Sequence, residues 1–394
     1  MPRPTAIVLT PRLPWPLDDG GRVVLWQSIV ATARTHDVSL ISFVHDGNVQ
    51  CPEPVASTCA RVVFVPHRPG RLSSVAQGVF GRWPYTLARY RDPAFARAIR
   101  DEVQAVQPEF AIANHLHLAP YHEVLGPVPM VLRAHNAEHR WMNRLADSLG
   151  PTPAGLYARL QTRRLRSAER ELCERAALVL AIQEVEADAL RALAPRARVR
   201  TLPVGVDLAR FLEPSPVEPP VVLLPASFAW KPNVDGALWF LQQGWPQVRD
   251  AVPGARLRVA GKAPPQALRQ AASDVGALVA ADVPSMEEEL SRASIVVVPL
   301  WVGAGARVKI VEAMAAQIPV VATSLATEGL ELEAGMHYLG GETPAELARH
   351  TIALLRSPAE RVRLAAQGHA LAESRWSMEC VAHRQQTLIE EALA

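Results

Sequence analysis

Lysine is nearly absent from this 394-residue sequence: Lys231, Lys262 and Lys309 are the only three. Almost all positive charge is therefore arginine, a bias that, with abundant Ala and Pro, reflects a GC-rich genome. With 41 basic and 39 acidic residues the net charge is +2, which gives no footing for nucleic acid binding by bulk charge. Cysteine is scarce. Cys51, Cys59, Cys173 and Cys380 form no C-x-x-C pair and no ligand spacing, so they read as free thiols in a reducing cytosol. No run of about 18 apolar residues occurs, which excludes a membrane-spanning helix. The first apolar run, Ala6 to Leu9, is too short for a signal peptide, meets prolines and reads as a strand. The residues after it lack G-x-G-x-x-G, which argues against a dinucleotide fingerprint. What is present suffices for ordinary cores: 49% apolar and 20% charged residues, over a length of about two to three domains.

The most informative stretch is 295–330. Ile295 to Val298 is a continuous apolar run and reads as a buried parallel strand. Gly303-Ala304-Gly305 follows, then a helical pattern from about Arg307 to Gln317, then a second buried strand from Pro319 to Thr323. This is a βαβ unit, and ligands of open α/β sheets bind at the carboxyl ends of such strands. Gly303 and Gly305 let a phosphate approach the backbone, and the helix start adds N–H groups. Arg307 and Lys309 lie in the first helical turn, where cations oppose the helix dipole unless an anion joins them. Glu312, in an otherwise apolar VEAMAA run, is costly to bury alone, and it could accept both hydroxyls of a ribose.

The run G-x-R-x-K-I-x-E-A-M-A-x-x-x-P-V-V-A-T, at 305–323, resembles the donor-site motif of glycosyltransferase family 4. Pro203-Val-Gly-Val-Asp207 resembles the family's linker, with Val204 where Asn is usual. The resemblance covers nearly the whole chain and is weakest between 46 and 110. It implies an α/β protein of GT-B architecture: two Rossmann-like, doubly wound parallel-sheet domains facing a central cleft. Residues 1–203, with a C-terminal helix 376–394 crossing back, would be the acceptor side, and 204–375 the nucleotide-sugar domain. It further implies a retaining, hexosyltransferase-type enzyme that uses a UDP- or GDP-linked sugar as substrate, with no separate cofactor. The acceptor would be a glycan, a lipid-linked sugar or a polysaccharide, in cell-surface or exopolysaccharide synthesis. The place of work would be the cytoplasm, or the inner face of the membrane.

Along the chain, Gly20-Gly21 sits at a helix start, another anion-friendly position, and in the family such a pair faces the donor. Asp18 and Asp19 beside it serve equally well as turn and N-cap. From Arg61 to Arg100 there are eight arginines and one acid, interleaved with Phe80, Trp83, Tyr85, Tyr90 and Phe95. Such a helical region either lies on an anionic membrane or presents a solvated face. A second basic cluster runs from Arg159 to Arg170. Two predicted strands end in histidine: Phe110 to Ala113 before Asn114-His115-Leu-His117, and Met130 to Arg133 before Ala134-His135-Asn136. The resemblance gives His135 the contact to the transferred sugar, and His115 and Asn136 a weaker acceptor role.

The second half restarts the α/β pattern at Val221. Lys231 stands one residue from the family's usual diphosphate-binding position, leaving more of that charge to Arg307 and Lys309. Val283 lies where the family borders the nucleobase. The family's acidic pair is incomplete, because Ala304 stands in place of the first Glu. Sugar recognition would then fall to backbone N–H groups of Ala304, Gly305, Ala306 and Arg307. No D-x-D occurs, and Arg307, Lys309 and helix dipoles can neutralise a departing diphosphate, so no metal is called for. Catalysis would be electrostatic, with His135, Arg307 and Lys309 as its residues. A non-catalytic sugar-nucleotide scaffold and a nucleotide-sugar epimerase of the same fold are the competing readings.

Overall fold

The computed structural model describes residues 3–17, 20–45, 49–67, 78, 81–215, 217–301 and 308–394. The chain divides into two compact units, Met1–Val204 with Val381–Ala394, and Gly205–Cys380.

The first unit is built on seven parallel strands: β1 (Thr5–Thr10), β2 (Asp37–Val44), β3 (Arg61–Pro66), β4 (Phe110–Asn114), β5 (Met130–Ala134), β6 (Leu178–Ala181) and β7 (Val199–Thr201). Their order is β3-β2-β1-β4-β5-β6-β7, so the order reverses between β1 and β4. Most of these strands are buried along their length, which is why they read as unbroken apolar runs. The last helix, Met378–Leu393, buries Val381 and Ile389 in the cluster that holds Ala6, Val8, Ile29 and Leu40. Its Gln385 donates to the Ser28 carbonyl at 3.3 Å and to Thr32 Oγ1 at 3.0 Å. Burial of these side chains fastens the C-terminus to the first sheet.

A cation lies inside this core. Arg133, on β5, is 1% exposed, and burial pushes its guanidinium down to about 9. It donates to the carbonyls of Leu202 at 2.7 Å and of Leu180 and Pro203 at 3.3 Å. A buried cation costs several kcal/mol unless hydrogen-bonded, and here backbone oxygens of β6 and of the segment leaving β7 take its two terminal nitrogens, while Nε has no partner among the described residues.

The region 61–100 is not one basic helical face. Its described residues include β3, a short helix Tyr85–Ala88 and the start of the helix Pro93–Val106. Trp83 and Phe95 are core residues, so the expected aromatic face does not form. Arg61 is held by Glu102 at 2.8 Å, and Arg82 by Glu123 at 2.7 Å and Glu171 at 2.8 Å. Phe80 lies outside the described residues.

The second unit carries β8 (Val221–Pro225), β9 (Arg256–Gly261), β10 (Leu278–Ala281), β11 (Ile295–Val298), β12 (Val320–Ala322) and β13 (Leu339–Gly340). All pairs are parallel, in the order β10-β9-β8-β11-β12-β13, with the reversal between β8 and β11. The chain enters and leaves this unit side by side: the amide of Val206 donates to Trp376 and that of Met378 to Val206, at 2.7 and 2.9 Å.

Gly261 closes β9 at φ +146°, and a Cβ there would lie 1.8 Å from the carbonyl oxygen of Ala226. The close approach holds the loop after β8, through bonds from Ala226 to Ala260 (3.0 Å) and from Phe228 to Lys262 (2.8 Å). Gly261→Ala must therefore push this loop away, at a cost of about 1–3 kcal/mol or more. The expected result is a clear fall in melting temperature, read by thermal denaturation. A variant with wild-type melting would show that the loop does not depend on this contact.

Candidate functional site

Each unit presents chemistry at the carboxyl ends of its strands, where the strand order reverses, the usual place for ligands in open α/β sheets.

In the second unit the helix Val308–Ala315 follows β11 and the helix Lys231–Trp239 follows β8. Lys309, in the first turn of one, donates to Asn233 Oδ1 in the first turn of the other at 2.8 Å. Asn233 Nδ2 in turn donates to the Ser227 carbonyl at 2.7 Å, which fixes its orientation. Gly236 makes this crossing possible, since a Cβ there would meet the Pro299 carbonyl oxygen at 2.1 Å. Glu312, one turn beyond Lys309, is half-buried. Burial, and then the charge of Glu287, push its carboxyl up to about 7, against the lowering pull of Arg210 and Lys309. Arg210 is itself ion-paired with Glu287. A carboxyl so placed exchanges its proton near neutral pH and can accept two hydroxyl donors once ionised.

The other residues expected here are placed differently. Lys231 is 82% exposed and bound to Asp235 of its own helix at 2.6 Å, while Asn233 makes the contact to Lys309. Val283 is half-buried and packs on the apolar cluster that includes Ile310 and Val311. Gly303, Ala304, Gly305, Ala306 and Arg307 lie outside the described residues.

In the first unit the helix Gly20–Ala33 follows β1, and among the described residues beyond its own helix nothing lies within 4 Å of where a Cβ of Gly20 would stand. Ser28 of this helix donates to Asn114 Oδ1 at 3.0 Å, at the end of β4. The next residue, His115, has φ +92°, a region that residues with side chains seldom enter. Such strain persists where surrounding structure enforces it, often at functional sites. It turns the chain so that His115 and His117 stack at 3.9 Å between ring centroids. The stack runs on to Tyr90 (4.6 Å) and His67 (5.4 Å) on one side, and to His135 (5.0 Å) on the other.

These rings border a cavity of about 490 Å³, which Arg12, Gly21, Arg89 and Asn136 also line. Burial holds all four imidazoles below their ordinary range. His115 falls to about 4 with help from Arg12, and His135 is lowered further by His115, Arg133 and Arg12. They are therefore neutral at pH 7 and able both to donate and to accept.

The loop bearing His135 is held from below. The helix Glu138–Leu149 has no side-chain cap of its own. Glu186 accepts from the amide of Ala137 at 2.6 Å, and Glu169 accepts from those of Glu138 and His139 at 2.8 and 2.9 Å. Carboxylates from two other helices thus satisfy the free N–H groups of this helix start. Glu138 lies 3.5 Å from His115 Nε2 and takes a bond from Asn136 at 3.3 Å. Burial and the charges of Glu169 and Glu186 push it up to about 7. The structure thus brings Gly21, His115, His135 and Asn136 to one cavity, and adds His67, His117, Arg12, Arg89 and Tyr90.

Two family models match the sequence: Glycosyltransferase Family 4 over residues 31–210 and Glycosyl transferases group 1 over residues 219–357. The chain belongs to the group 1 glycosyltransferases. Solved structures with the same fold include sucrose-phosphate synthase from Thermosynechococcus elongatus, with 16% identity, TM-score 0.72 and 98% of each chain covered. Anabaena HepE in complex with UDP and glucose gives 14% identity and TM-score 0.66, over 98% of this glycosyltransferase and 99% of HepE. WaaG, a glycosyltransferase involved in lipopolysaccharide biosynthesis, gives 14% and 0.65 over 98% and 99% of the two chains. Curated protein sequences give no match. The two parallel-sheet, Rossmann-like units are those of the GT-B fold.

Proposed function

We propose that this glycosyltransferase moves a hexose from a nucleotide-diphosphate sugar to a glycan, lipid-linked or polysaccharide acceptor, with retention of configuration. The observation that carries the donor assignment is the pairing of Lys309 and Glu312 on one helix at the β8/β11 switch point. Lys309 is oriented by Asn233 toward the helix start, and Glu312 is poised near neutrality. In this reading Lys309 and Arg307 balance the leaving diphosphate, Glu312 holds the ribose, and Val283 borders the base. His135 donates to the transferred sugar, and the acceptor hydroxyl attacks from the face the diphosphate leaves, passing its proton to that phosphate. Because HepE structures hold UDP and UDP-glucose, UDP-sugars are the first donors to test. A thermal-shift screen of UDP- and GDP-sugars, followed by release of nucleoside diphosphate in the presence of EDTA, tests donor, turnover and metal independence together. Ala304, where the family carries Glu, favours the second reading, a sugar-nucleotide scaffold. That reading gains if the donor binds and nothing is released.

Peripheral contact with an anionic membrane belongs to the same proposal, and its support comes from the helices Glu138–Leu149 and Pro153–Arg175. Trp141, Leu145 and Leu149 recur at i, i+4, i+8 on the first, and Leu156 and Leu160 at i, i+4 on the second. All five are exposed, Trp141 by 53% and Leu156 by 59%. Asp147 is the single acid among residues 139–166, against six arginines. Apolar side chains among arginines suit the interface of an anionic bilayer. Trp141→Asp with Leu156→Asp is expected to abolish low-salt sedimentation with anionic vesicles while melting is unchanged. Wild-type protein that stays in the supernatant would remove the membrane from the proposal.

A further inference from the structure

The cavity of the first unit has a charge pattern that transfer of a neutral sugar does not require. Arg12 and Arg89 line it, and among the described residues no carboxylate does. Several of its nitrogens have no close protein partner among the described residues: Nδ1 of His115, Nε2 of His135, Nε of Arg89, and the ring of His67 apart from a weak approach to the backbone of Arg89. His67 is 6% exposed, so its two ring nitrogens are withheld from bulk water. Buried polar groups are nearly always satisfied, and a cluster left open around one cavity marks groups that a ligand satisfies. Arg89 is also aimed: its guanidinium lies 5.4 Å from the Tyr90 ring and 5.9 Å from the Tyr85 ring, held by the ring faces and not by an ion pair. A cation held on aromatic faces keeps its N–H groups for another partner.

We propose that this cavity receives an oxyanion carried by the acceptor, a phosphoryl or carboxylate group on its sugar, gripped by Arg89 and bonded by His67. Neutral imidazoles suit this role, since they add hydrogen bonds without crowding more positive charge beside the arginines. A volume of about 490 Å³ is within the range of small-ligand pockets. This rests on the reading of the first unit as the acceptor side, so binding and turnover have to be measured separately.

The test is calorimetric titration of the full chain with three probes: methyl glucoside, glucuronic acid and glucose 6-phosphate, each with and without saturating UDP. At least one acidic probe is expected to bind about tenfold or more tighter than the neutral one, the scale of a charge-assisted contact. Which of the two it is separates carboxylate from phosphoryl recognition. Arg89→Gln should erase that preference and Arg89→Lys restore part of it, with far-UV spectra and melting confirming that both variants fold. Equal affinity for acidic and neutral probes overturns the inference. So does displacement of the acidic probe by UDP, which would assign the arginines to the donor's diphosphate. Acidic-probe binding that persists in a chain releasing no nucleoside diphosphate upholds the anion site and refutes the transferase reading alone.

Discussion

His135→Ala is expected to lower kcat by about a hundredfold or more, the scale of a positioned donor at a reacting centre, and to change donor affinity little. The imidazole follows β5 and lies 5.0 Å from His115 across the stack, and its Nε2 has no protein partner among the described residues. Burial and the positive charge of Arg133 and Arg12 keep it neutral, so it offers a hydrogen bond without a competing charge. Only contacts that strengthen in the transition state raise turnover, hence the split between kcat and affinity. A histidine that merely closes the strand end would behave in the opposite way, with lower melting temperature and intact turnover. Measuring kcat, donor affinity and melting on the one variant separates the two. A destabilised enzyme with normal turnover would return His135 to a structural role.

The second large effect is expected at Glu312, and it has two signs. Its carboxyl titrates near 7 in the folded chain, against an ordinary 4.5. The folded state therefore holds its proton more tightly than the unfolded chain does. That contribution to stability is complete below the ordinary carboxyl range and is lost as pH rises through about 7. At pH 8, Glu312→Gln removes a half-buried charge and should stabilise the unliganded protein, by up to about 3 kcal/mol, and at pH 4 by little. The same substitution should weaken nucleoside diphosphate binding about tenfold or more, because an ionised acceptor of two hydroxyls is lost. Wild-type affinity should likewise fall as pH drops below 7, where binding must first displace the proton. Calorimetry and thermal denaturation of both proteins at pH 5 to 8 read all of this. Unchanged affinity at pH 8 would remove Glu312 from the donor site.

The sheets were largely legible before the structure. Residues such as Ile7, Ile112, Val131, Val222 and Val297 lie in parallel strands buried on both faces, and burial of that kind writes itself into sequence as short unbroken apolar runs. The β11–helix–β12 unit was legible for the same reason, and Lys309 and Glu312 stood out because charges are costly within such a run. The hairpin of Glu138–Leu149 and Pro153–Arg175 was not legible. The acids that cap its start, Glu169 and Glu186, lie about 30 and 50 residues away. The arginine-rich stretch 61–100 misled for a related reason: local charge density does not show that Trp83 and Phe95 turn inward, that Glu102 pairs with Arg61, and that Glu123 and Glu171 pair with Arg82.

By itself, then, the sequence determined which segments are strands and which family the chain belongs to. Those properties depend on neighbours a few residues apart, through periodicity, glycine placement and the cost of a charge in an apolar run. Only the tertiary structure decided that Asn233, not Lys231, meets Lys309, and that Arg133 is a buried strut. Only it showed that His67, Tyr90, His117, His115 and His135 form one stack beside Arg89. The members of the stack come from three separate strand ends and a connecting segment, and the order of strands in a sheet, not distance along the chain, sets which of them meet.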